Sequence, residues 1–128
     1  MTTTTAIRIL MLILTLLLVF HFAIITHYVP YDIAWGGRLT TDQEMYVFES
    51  ISILANLFLP ITLAVKGRYL SWTWSSTFVN VVLWIFFLLF ILNTIGNLLA
   101  KSTFERVFSV LTAVMSVLIR TILRPRKG

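Results

Sequence analysis

The sequence contains no cysteine, which excludes disulfides, thiolate metal sites and cysteine nucleophiles and leaves the redox compartment unread. Charge is almost as scarce: 12% of the 128 residues are Asp, Glu, Lys or Arg, against about 25% in an ordinary soluble domain. A water-soluble chain of this size has too much surface to cover with so few charges, because small domains bury the least of themselves. These absences exclude a free-standing globular enzyme, a coiled coil and a disordered tail. There is no internal repeat, and no low-complexity run beyond the threonines at 2–5. What is abundant is apolar: 59% of the residues are hydrophobic and the mean hydropathy is +0.94, the composition of an integral membrane protein.

The few charges are basic in balance, ten Lys and Arg against five Asp and Glu. In a hydrophobic chain such cations mark the cytoplasmic ends of spans and meet anionic headgroups. No basic stripe exists away from the span ends, so the expected partner is the lipid bilayer and not nucleic acid.

A span needs about 20 mainly apolar residues, and four segments qualify, near 9–25, 45–65, 77–99 and 104–123. The first lacks the small-residue cleavage site of a secretory signal, so it reads as a retained anchor. The whole chain is then a single all-α domain, a four-helix transmembrane bundle. Short second and third connections favour an up-down-up-down order. Seven cations, among them Arg8, Lys66, Arg68, Arg120 and Arg124, fall on one side, and Arg38, Lys101 and Arg106 on the other. The positive-inside bias puts both termini in the cytoplasm. Aromatic residues mark the boundaries: Tyr28, Trp35 and Tyr46 at the outer interface, Tyr69, Trp72 and Trp74 at the inner one.

The outer loop, 26–44, is the only long connection. Its Trp35-Gly36-Gly37-Arg38 run is a turn signal, since paired glycines tolerate positive φ. Thr41-Asp42-Gln43-Glu44 then reads as a capping box opening the second helix. The stretch is expected to be a folded outer cap.

Ionisable groups inside a span cost about 2.5–3.5 kcal/mol at a helix centre, so they normally face a bundle interior or a cavity. Glu49 sits about one turn inside the outer end of the second span. Ser52 and Asn56 follow on the same helical face. Pro60 continues that face and either kinks the helix or frees a carbonyl. Two readings of Glu49 stand together: a pocket acid, or a shallow side chain reaching outer water. His21 lies at a matching depth in the first span, so a His21–Glu49 contact is expected if the two helices pack as neighbours; such a pair could handle a proton. Its other reading is hydrogen-bonded structure. His21 and His27, six residues apart, lean to different faces and do not suggest a joint metal or haem site. Asn93 and Asn97 share a face of the third span beside Gly96. They read either as a pocket wall or as interhelical hydrogen bonds with Gly96 admitting a neighbouring backbone. Glu105-Arg106 reads as an outer-surface ion pair or as a partner for Asp32 and Arg38, and Ser109, Thr112 and Ser116 as a packing stripe.

The candidate ligand-binding or proton-handling residues are therefore Glu49, His21, Asn56, Asn93, Asn97, Trp35 and Arg38. All but Asn56 belong plainly to the outer end. No catalytic residue, metal site or cofactor is indicated.

Ala34-Trp35-Gly36-Gly37-Arg38, the Asn93-x-x-x-Asn97 pair and Lys101-Ser102-x-x-Glu105-Arg106 resemble a pattern in small bacterial four-span membrane proteins. The resemblance runs from the first span to the fourth. It implies a bacterial inner-membrane protein and carries over no catalytic residue. The opening of the second helix, Thr40-Thr41-Asp42-Gln43-Glu44, departs from that pattern.

Two functions follow as expectations. One is a small binding or accessory protein with a polar pocket open to the outer face. The other is a proton-coupled transporter working as a homo-oligomer, with Glu49 as the proton carrier. A hydrolytic enzyme would want paired carboxylates or a nucleophile with its base, and Ser50 and Ser52 lack the usual turn context.

Overall fold

A computed structural model describes residues 1–30, 41–99 and 103–124, with the side chain of Phe104 set apart. The expected turn at 35–38, and with it the candidates Trp35 and Arg38, lies outside the described residues. Four α-helices account for nearly all of what is described: α1 (Thr3–Ile25), α2 (Asp42–Lys66), α3 (Ser76–Leu98) and α4 (Thr103–Leu123). Each is long and apolar enough to cross a membrane.

The helix starts follow from local hydrogen bonding. α1 begins six residues before the expected span, because the Thr2 hydroxyl accepts from the Thr5 amide and turns the threonine run into a cap. Thr41 caps α2 by accepting from the Glu44 amide, and it donates to the Glu44 carboxylate, so the box closes between side chains. Ser75 caps α3 through the Phe78 amide. α2 runs unbroken through Pro60, which has no N–H to give the Asn56 carbonyl.

Packing joins successive helices and closes α1 against α4; α3 and α4 meet most extensively, α2 and α3 least. The end of α1 meets the start of α2 at His21 and Glu49. The same end brings Phe20 of α1 against Phe108 of α4, and Thr94 of α3 to Thr112 of α4. We call this the first-loop end. At the opposite end Arg8 donates to the Tyr69 hydroxyl at 3.1 Å and Lys66 to the Asn80 amide oxygen at 2.9 Å. There Trp74 stacks among Phe58, Trp72 and Phe78.

The apolar core is not central. It is built from Ile7, Leu10 and Leu14 of α1, Leu59 and Leu63 of α2, Val79 and Leu83 of α3, and Ile119 and Ile122 of α4. These positions lie in the half away from the first loop. At the first-loop end the buried apolar cluster shrinks to Ile24 and Met45. The space between the helices there is occupied differently.

Candidate functional site

α4 shows how the sequence prepares that space. Glu105, Ser109, Thr112, Met115, Ser116, Ile119 and Ile122 are buried at helical spacing, while Val107, Val110, Val114 and Val117 are exposed on the other side. Polar groups inward and branched apolar groups outward is the arrangement a bilayer favours, since lipid accepts valine and rejects unpaired polar atoms. Ser109, Thr112 and Ser116 each donate to a carbonyl of their own helix. The Thr112 hydroxyl also meets the Thr94 hydroxyl at 2.8 Å, tying α4 to α3. Ser109 and Ser116 are packing surface, as their spacing suggested, while Thr112 also borders the cavity.

Above that stripe, toward the first loop, all four helices line one cavity of about 450 Å³. Its polar wall holds His21, Glu49, Ser52, Asn56, Asn93, Asn97, Glu105 and Thr112, and phenylalanines 20, 86, 90 and 108 form much of the rest. Five of the seven sequence candidates are thereby brought together.

Glu49 has no exposed surface, which removes the reading of a side chain reaching out to water. The eighth residue of α2, it is aimed at α1, where His21 Nδ1 stands 2.6 Å from its Oε2. That short contact is a hydrogen bond in either protonation arrangement, charge-assisted as imidazolium with carboxylate and neutral as imidazole with carboxylic acid. The ring of His21 leans on Phe20, with centroids 6.0 Å apart, and its side chain is 15% exposed, so it sits between buried acid and open cavity. Asn56 donates to the Ser52 carbonyl at 2.8 Å, a bond along its own helix. His27 lies past the end of α1, where its Nε2 meets the Tyr46 hydroxyl at 3.0 Å; it takes no part in the cavity.

Of the two readings of Asn93 and Asn97, one is removed. Asn93 and Asn97 do not bond across helices, since neither takes a side-chain partner among the described residues; both line the cavity, and Thr94 makes the interhelical bond. Gly96 admits no neighbouring backbone: a Cβ there would meet nothing within 4 Å. Glu105 is not at the outer surface, being 6% exposed and part of the cavity wall; its other expected partners, Asp32 and Arg38, lie outside the described residues. The signal was present in the spacing from Glu105 to Ser109, Thr112 and Ser116, but adjacency to Arg106 suggested a surface pair.

The arrangement can hold and orient a molecule with polar and apolar parts, and it can pass a proton between His21 and Glu49. Among the described residues of the cavity His21 bonds Glu49, and Ser52 bonds neither of them. No group of three or more potential metal-ligating side chains occurs among the described residues. Compared with known protein families, curated proteins and solved structures, the chain matches none.

Proposed function

We propose that the chain is a small multi-pass membrane protein whose cavity binds a small molecule, or a segment of a partner, at the outer face. One observation carries this reading: polar side chains from all four helices converge on one hollow, in a fold that elsewhere packs apolar groups against each other. Sites of this kind are concave, mostly apolar and equipped with a few converging polar groups. The cation count supports an up-down-up-down bundle with both termini in the cytoplasm and the cavity outside. The resemblance to bacterial four-span proteins supports an inner-membrane location. The chain acts alone, as a homo-oligomer or within a larger membrane complex.

Mass spectrometry of the protein purified from its native membrane tests the reading. A bound mass should accompany the wild type and be lost from Glu49→Gln and Asn93→Ala. A bound species retained by both variants removes the cavity from consideration.

The buried His21–Glu49 pair favours a second reading, proton-coupled transport by an oligomer with Glu49 as carrier. Uptake into proteoliposomes driven by a pH gradient should then be abolished in Glu49→Gln. Equal uptake by wild type and variant overturns it.

A further inference from the structure

All five side-chain carboxyls of the sequence, Asp32, Asp42, Glu44, Glu49 and Glu105, lie in the first loop or in helix segments at that end of the bundle. The opposite end carries cations alone, among them Arg8, Lys66, Arg120 and Arg124. Arg8 and Lys66 find acceptors within the chain, the Tyr69 hydroxyl and the Asn80 amide oxygen. Arg120 does not. Its guanidinium lies over the ring of Trp84, 5.5 Å from the centroid, and makes no hydrogen bond or ion pair among the described residues. An indole face attracts the charge but accepts no conventional hydrogen bond. The N–H donors of the guanidinium are therefore left for a partner outside the chain.

The place of this pair says what that partner is. Trp84 is 43% exposed, and Arg120 and Arg124, one turn apart, are exposed as well. Leu88, one turn beyond Trp84 toward the first-loop end, and Val117, one turn from Arg120 in the same direction, are also exposed. Together they make a flank of α3 and α4 that faces lipid, basic at its edge and apolar deeper in. Side chains lean toward the N-terminus of their own helix, and α4 starts at the first-loop end. Arg120 therefore leans into the apolar layer and not out to the near water surface. It meets Trp84 about 12 Å along α3 from the helix start. A charge drawn that way is costly unless an anion comes to it. A phospholipid brings one: its acyl chains pack on Leu88 and Val117, and its phosphate offers oxygens that the planar fork of arginine takes two at a time. A soluble acidic protein has no such anchor. The pair is separate from the cavity, which neither Trp84 nor Arg120 lines.

We propose that Arg120, backed by Trp84 and joined by Arg124, holds the phosphate of an anionic phospholipid on the flank of α3 and α4. The net negative charge of the head is shared by the two arginines, and the acyl chains run along Leu88 and Val117 toward the middle of the bilayer.

The test reads Trp84 alone, in the full chain carrying Trp35→Phe, Trp72→Phe and Trp74→Phe. The protein is placed in vesicles of phosphatidylglycerol and phosphatidylcholine with matched chains, and one lipid at a time carries bromine, which quenches an indole that it touches. Brominated phosphatidylglycerol should quench Trp84 with an apparent affinity about fivefold above that of brominated phosphatidylcholine, the worth of one arginine at an anionic surface. Arg120→Gln should lose most of that preference. Arg8→Gln should keep it, because α1 and α2 lie on the far side of a bundle whose helices touch in ring order. Equal quenching by the two lipids before any arginine is replaced overturns the proposal. So does a preference that survives Arg120→Gln with helix content unchanged by circular dichroism. A preference that Arg8→Gln removes as fully also overturns it, since the attraction would then belong to the whole basic end.

Discussion

Glu49 and His21 form a unit whose members are unequal when removed one at a time. His21→Ala removes the imidazole bonded to the buried Glu49 side chain and should cost about 2 kcal/mol, because a buried polar group loses a close hydrogen bond. Glu49→Gln keeps a hydrogen-bonding shape and should cost about 1 kcal/mol. The double replacement His21→Phe with Glu49→Leu should return to within about 1 kcal/mol of wild type. Reversible unfolding in mixed micelles measures all three; a His21→Ala cost no larger than that of Glu49→Gln would show that the acid does not depend on the ring. A second residue-scale strain lies at the opposite end. Arg68 holds φ 63°, the left-handed region that costs a non-glycine residue, although Gly67 stands one position earlier. Arg68→Gly should raise stability by about 0.5–1 kcal/mol in the same assay. The pairing of His21 with Glu49 was legible in the sequence, since equal depth on consecutive spans limits what each can reach. The burial of Glu105 was not, because two adjacent charges of opposite sign read as a surface pair until the helix rotation is fixed.

At the scale of the helices, what was legible was what periodicity and capping control. The Thr41 cap stands where the sequence put it, and the lengths of α2, α3 and α4 agree with their apolar runs to within a few residues. The early start of α1 escaped, because a threonine run is equally at home in a tail and in a cap. The face of α3 escaped too. Asn93 and Thr94 are neighbours about 100° apart on a helix, and hydropathy does not say which one turns toward α4. It is Thr94, and a double-mutant cycle of Thr94→Val and Thr112→Val should give a coupling of about 0.6–1.7 kcal/mol, the range of hydrogen bonds between membrane helices. Asn93→Val, facing the cavity, should show no coupling with Thr112→Val beyond about 0.5 kcal/mol.

The whole molecule divides across its length, with a dry core at one end and a polar hollow at the other. Which end faces outward is a matter of charge, and the absence of cysteine makes it directly testable. Single cysteines at Thr2 and Ser71 should react with an impermeant thiol reagent only after the membrane is opened, and one at Tyr28 should react in intact cells. Labelling of Thr2→Cys in intact cells would invert the orientation. The location of the His21–Glu49 bond has a consequence for how the chain is made. Both partners belong to the first two helices, so the bond can close within a single helical hairpin, before α3 and α4 have left the ribosome. The acid that would be most costly to deliver into lipid alone thus travels with its own counter-group, and membrane integration of the N-terminal half need not wait for the rest of the protein.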